Sequence, residues 1–168
     1  MIRKAAILAL LMGLGCGVAH AQVSDSEYAS EYNFIISNTW RCATAQTFSG
    51  VQDGELNMEQ DFSFQPKNDP GDPYTFTGTS SAVMNVDNVD YRGRSSFDGY
   101  GFNDTDRGVG VVITNMVMTQ QDTLPDGWYW NNGDDYMQLV LTRESNGTYS
   151  LKGYSIYQGT SVSLDCGG

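Results

Sequence analysis

Leu56, Met58, Gln60, Phe62 and Phe64 alternate with Glu55, Asn57, Glu59, Asp61 and Ser63. A period of two marks a strand with one face toward a core and the other toward water. The same period recurs along the chain. Trp40, Cys42 and Thr44 share a face, and further alternating segments over 74–86, 89–98, 108–120, 136–143, 148–157 and 161–166 bring the number of strands to eight. Turn-forming residues separate them: Asp53-Gly54, Pro70-Gly71-Asp72-Pro73, Asp87-Asn88, Asp106-Arg107-Gly108, Pro125-Asp126-Gly127, Asn146-Gly147 and Gln158-Gly159. Every link is short enough for an up-and-down antiparallel meander. Ahead of the strands, Ser24-Asp25-Ser26-Glu27 has the spacing of a capping box, and Tyr28, Tyr32, Ile35 and Ile36 follow at helical intervals. A short helix is expected over 25–36, lying across one end of the sheet.

The two ends of this meander carry cysteines of matching parity. Val162, Leu164 and Cys166 form the apolar set of the last strand, as Trp40 and Cys42 share a face of the first. Same-face cysteines on adjacent antiparallel strands satisfy disulfide geometry. A Cys42–Cys166 bridge would set the first strand beside the last, and the simplest fold is then a closed eight-stranded antiparallel up-and-down β-barrel with a short N-terminal helix. The closure spans 124 positions, which on the chain-entropy model is worth about 4–5 kcal/mol.

The beginning of the chain has a different character. Arg3 and Lys4 precede an apolar run from Ala5 to Leu14, and Ala19-His20-Ala21 offers small residues for cleavage. We read 1–21 as a secretory signal peptide, cleaved before Gln22, and 22–168 as a single domain. The apolar run is too short to span a bilayer, so no stable membrane insertion is expected. Acylation of Cys16 as a lipoprotein is the alternative, but Gly13-Leu14-Gly15 lacks the usual Leu three residues upstream. Removal of Cys16 would leave an even pair of cysteines in an oxidising compartment, periplasmic or secreted.

Charge narrows the choice of partners. All 20 acidic residues follow the leader, whereas Arg3 and Lys4 lie in it, so the remainder carries seven basic residues and a net charge of −13. Such a field repels nucleic acid and anionic membranes and attracts cationic proteins or metal ions, although solubility alone also accounts for it. The single histidine, His20, belongs to the leader. The remainder has no imidazole, which excludes Ser-His-Asp and Cys-His catalysis and histidine metal ligation, so we expect a non-enzyme without a cofactor. Paired-carboxylate chemistry is still available, but among so many acids close pairs are expected by chance.

Parity also describes an uneven interior. If Phe76, Tyr91, Phe97, Tyr149 and Tyr157 face inward, so do Gly78, Ser80 and Ala82, Gly93 and Ser95, and Gly153 and Ser155. Small residues then sit at mid-height, with aromatic ones nearer the ends. Eight strands enclose a space that side chains just fill or that holds one small ligand. The pattern leaves both open: a cavity lined by Gly78, Ser80, Gly93 and Gly153, or a core in which Trp40, Met58 and Phe62 fill the gap.

The helix, the Trp near the start of the first strand and the eight-stranded meander together resemble the lipocalin-like (calycin) barrels. The match at the Trp is partial, because Asn38-Thr39-Trp40 lacks the Gly of the family's Gly-x-Trp pattern. Arg143 is a candidate for the family's Arg packed over that Trp, and no long C-terminal helix follows the barrel. The resemblance implies an exported protein holding a small hydrophobic molecule, with ligand-binding residues Trp40, Met58, Phe62, Phe76, Gly78, Ser80, Tyr91, Gly93, Phe97 and Tyr149. The alternative is an acidic inhibitor or interaction protein that docks on a cationic enzyme such as a lysozyme.

Two further stretches compete as sites. Trp128-Tyr129-Trp130 places three aromatics beside Asn131-Asn132-Gly133-Asp134-Asp135. As a surface-binding platform it would suit a sugar ring, as in a carbohydrate-binding module, or a partner protein; alternatively Trp128 and Trp130, which share a face, plug the barrel mouth. Asp104-x-Asp106 and 131–135 cluster oxygen ligands like fragments of calcium loops, but neither has the full spacing, so no metal site is assigned.

Overall fold

The computed structural model describes residues 24–48, 54–104, 106–130, 136–157 and 159–168, and for 45–48, 54–56 and 157 the backbone alone. The expected leader, the Asp53-Gly54 turn, the 131–135 cluster and the inward placement of Leu56 and Tyr157 lie outside these described residues or side chains.

Ser24 accepts a hydrogen bond from the Glu27 N–H and so starts helix α1, Asp25–Ser37. The helix buries Tyr32, Ile35 and Ile36 against the barrel. Its end is closed by two side chains: Asn38 Nδ2 donates to the Phe34 carbonyl at 2.7 Å, and the Trp40 indole N–H donates to the Ile35 carbonyl at 2.8 Å. Trp40 is thereby both the first residue of the barrel and a cap for α1.

The strands are β1 Trp40–Phe48, β2 Gly54–Pro66, β3 Thr75–Val86, β4 Val89–Asp104, β5 Gly108–Gln121, β6 Met137–Arg143, β7 Tyr149–Tyr157 and β8 Thr160–Gly167. They form a closed antiparallel barrel in sequence order, with β8 returning to β1. Cys42 and Cys166 are directly opposite across that seam and are bridged. A structural disulfide of this kind persists in oxidising compartments. Between β3 and β4, Asp87 and Asn88 both have positive φ (51° and 64°), the backbone of a two-residue type I′ hairpin. Among the described residues, no helix is long and apolar enough to cross a membrane.

The half of the barrel beneath α1 is solid. Phe62, Phe64, Phe76 and Phe97 meet edge to face or stacked, with ring centroids 5.2–6.5 Å apart. They interlock with glycines: Phe76 lies opposite Gly99 and Phe97 opposite Gly78 on β3 and β4, each ring covering the glycine it faces. Arg143 ends β6 at the rim of the barrel. It is exposed opposite Tyr149, while Trp40 meets the Phe34 ring and Gly168.

The strand that departs most from simple alternation is β5. Val109, Val111 and Ile113 are buried at odd positions; Met116 is buried at an even one, and Val117 is exposed. The pairing with β4 explains the switch, because β5 takes three steps from Thr114 to Val117 while β4 takes two from Asp98 to Ser96. Asn115, with φ of 50°, sits in this bulge. A second extra residue follows between Met118 and Gln120. The bulge turns Met116 and Met118 toward the interior.

Candidate functional site: a methionine-lined chamber

Away from α1 the packing is looser, and a chamber of about 20 Å³ lies inside the wall formed by β2 to β5. That volume accommodates about one water-sized guest. Its apolar lining is Met58, Met84, Met116 and Met118 with Ala82 and Gly93. Met58 and Met84 are direct partners on β2 and β3, while the β5 bulge supplies the other two. Five methionines follow the leader, and four of them meet here.

A polar strip runs down one side. Gln60 Nε2 donates to Ser80 Oγ at 2.8 Å, and Ser80 Oγ shares a hydrogen bond with Ser95 Oγ at 2.8 Å. Ser80 and Ser95 are cross-strand partners, whereas Gln60 reaches Ser80 along a diagonal. All three are buried; Gln60 is 5 % exposed, and its Oε1 accepts no hydrogen bond from the described residues. An amide oxygen left so costs roughly 1–3 kcal/mol. None of the residues lining the chamber is ionisable.

Trp130 borders the chamber beside Gly93. The chain leaving β5 is stapled back to β4 through Asp122: its N–H donates to the Arg92 carbonyl, and its carboxylate accepts from the Arg92 N–H, both at 2.8 Å. The Asp122 carbonyl in turn accepts from the Trp130 indole N–H at 2.9 Å. Gly127, with φ of +89°, makes the turn between these anchors. The ring of Trp130 and the methyl of Met118 both lie over Gly93, where a side chain would otherwise project.

Of the residues expected to bind a ligand, Met58, Ser80 and Gly93 border this chamber. Trp40, Phe62, Phe76 and Phe97 belong to the solid half, and Gly78 is covered by Phe97. Gly153 approaches the backbone of Gln138 on β6. Tyr91 is half-buried beside Met84, Val86, Trp128 and Val162. Tyr149 is not inside the barrel; it stands on the rim with its ring 5.0 Å from that of Phe34. The aromatic triplet divides: Trp128 is buried and Trp130 lines the chamber, so they do not form a surface platform, and Tyr129 alone is exposed, at 62 %. Asp104 serves its own turn, accepting from the N–H groups of Asp106 and Arg107 and pairing with the Arg107 guanidinium at 2.7 Å. Arg107 holds that carboxyl below the usual carboxylate range.

Gln60, Met84, Ser95, Met116 and Met118 were missing from the expected set. Gln60 carried a signal, as a polar residue on the apolar face of the most regular strand. The pair on β5 did not, because strict alternation places Val117 inward. Comparison with protein-family models, with curated proteins and with solved structures finds no match.

Proposed function

We propose that the protein is an exported binding barrel of lipocalin-like type, and not an enzyme, whose guest lies in the methionine-lined chamber. The observation that carries this is Gln60: a buried amide oxygen without a hydrogen-bond partner among the described residues borders a small apolar space that Trp130 also lines. A guest that fills the space and interacts with that oxygen removes the cost of leaving it unsatisfied. Uncharged walls give acid–base chemistry no group to work with, so retention is the chemistry that suits the chamber.

Room sets the size of the guest. Sites for drug-sized molecules occupy roughly 300–1,000 Å³. The chamber admits a guest of only one or two heavy atoms, and a larger hydrophobic molecule of the kind that the barrel pattern suggests does not fit it as it stands. Native mass spectrometry of the exported protein purified from its own cells tests the proposal. A small adduct that leaves on unfolding supports it. A bare barrel would overturn it, and a bare barrel accompanied by a basic protein would favour an acidic protein that docks on a cationic enzyme.

A further inference from the structure

Four methionine side chains border a space of atomic size, and thioether chemistry defines the ligand that would suit them. Resting on the internal-site reading, we propose that the guest is a soft monovalent cation, Cu(I) or Ag(I), coordinated by thioethers of Met58, Met84, Met116 and Met118. Thioether sulfur is a soft donor that selects Cu(I) over the hard and borderline divalent ions. Calcium and magnesium require several oxygen ligands, and no carboxylate lines the chamber. Charge makes the same selection. Moving an ion into a low-dielectric interior costs energy that grows with the square of its charge, and neutral ligands offset a single charge far more readily than a double one.

The surroundings are consistent with a cation. Gln60 Oε1, buried without a hydrogen-bond donor, adds a negative dipole and a further donor atom. Trp130 supplies an aromatic ring at the boundary, a side chain that tolerates a neighbouring cation. The acidic surface raises the local concentration of cations around the barrel. The β5 bulge brings Met116 and Met118 to the interior, where plain alternation would place Val117.

The test uses the exported chain 22–168, whose two cysteines, Cys42 and Cys166, are bridged, so that no thiol competes. It is titrated with silver nitrate in chloride-free buffer, and anaerobically with Cu(I) against a competing Cu(I) chelator. Native mass spectrometry and tryptophan emission are the readouts. One equivalent of Ag(I) is expected to bind and to quench emission, and Ca(II) and Zn(II) are expected to do neither. The combined variant Met84→Leu, Met116→Leu, Met118→Leu preserves side-chain volume, so it should keep its circular dichroism and weaken Ag(I) binding by about a hundredfold or more. Trp130→Phe should retain the metal while losing most of the emission change. Ag(I) held equally well by the triple-leucine variant would overturn the proposal, because the ion would then sit elsewhere. Should the triple variant unfold, Gln60→Leu with Met118→Leu replaces it under the same criterion. If wild-type protein ignores both ions but carries an organic adduct from its own cells, the guest class is refuted and the internal site stands; if it carries nothing, both fall.

Discussion

Phe97 lies directly across from Gly78, and its ring occupies the space that a side chain on Gly78 would need. A methyl group there would also meet the Ser63 backbone carbonyl at 2.6 Å. Neither neighbour can give way, since one is a ring packed among three others and the other is strand backbone. Gly78→Ala should therefore cost roughly 1–3 kcal/mol or more, read as a lower denaturation midpoint with an unchanged slope.

The seam between β1 and β8 gives a second expectation. Its Cα pairing covers Arg41 to Ala43 on β1, a short stretch with the bridge at its centre. Reduction returns a closure of 124 positions to the unfolded ensemble, for which about 4–5 kcal/mol is expected. Thermal melts with and without reductant should differ by many degrees, and a double Cys→Ser variant should follow the reduced curve. Matching melts would mean that backbone pairing and the Trp40 cap hold the seam unaided.

Much of this architecture was legible from period and parity. Two cysteines on matching faces are enough to infer that the first and last strands adjoin, because opposite faces cannot be bridged. The capping residues of α1 and the hairpin at Asp87-Asn88 announce themselves through local chemistry that tertiary context seldom overrides. The site was less legible, for two physical reasons. Which of the inward small residues border space depends on which aromatic ring crosses the barrel, and nothing local tells Gly78, covered by Phe97, from Gly93, which borders the chamber. In β5 a bulge at Asn115 reverses the faces, and an Asn inside an apolar run is weak evidence for a bulge.

That bulge yields a third prediction. Asn115 holds φ of 50°, a conformation that glycine adopts freely and β-branched residues resist. Asn115→Gly should be close to neutral, losing only a side-chain hydrogen bond to Asp98, whose carboxyl is held low chiefly by Lys67 and only secondarily by Asn115. Asn115→Val should cost about 1–3 kcal/mol. If valine were as stable as glycine, the bulge would not be where the backbone places it.

Tyr28, Tyr32 and Tyr74 pack together between α1 and the barrel, with ring centroids 4.3–6.3 Å apart. Burial, reinforced by Tyr74 and Asp72 for Tyr28 and by Tyr28, Asp72 and Tyr74 for Tyr32, pushes both phenols up to about 12 from an ordinary 10.0. The folded state therefore keeps protons that the unfolded state gives up near pH 10. Stability is at its full value below that pH and declines as the pH rises toward about 12. Denaturation midpoints measured across this range should fall, and Tyr32→Phe should flatten the decline. The same substitution should be neutral or stabilising at neutral pH, because Tyr32 Oη is buried without a hydrogen-bond partner among the described residues.

Gly93 contrasts with Gly78, and the contrast is a sharp test of the chamber. A methyl on Gly93 would meet the Met118 methyl carbon at 2.7 Å and the Trp130 ring at 3.0 Å. Met118 is the far end of a flexible side chain, and a space of about 20 Å³ lies beside it to receive the displaced methyl. The backbone at Gly93 does not have positive φ, so alanine introduces no backbone strain and restricts the unfolded chain. Gly93→Ala should stay within about 1 kcal/mol of the wild type while occupying the chamber, so the adduct expected of the wild type in native mass spectrometry should be absent although the melt barely moves. Gly93→Leu exceeds the space and should cost about 1–3 kcal/mol. Were alanine at Gly93 as damaging as alanine at Gly78, the methionine end would be as tightly packed as the phenylalanine end, and no internal guest could be accommodated there.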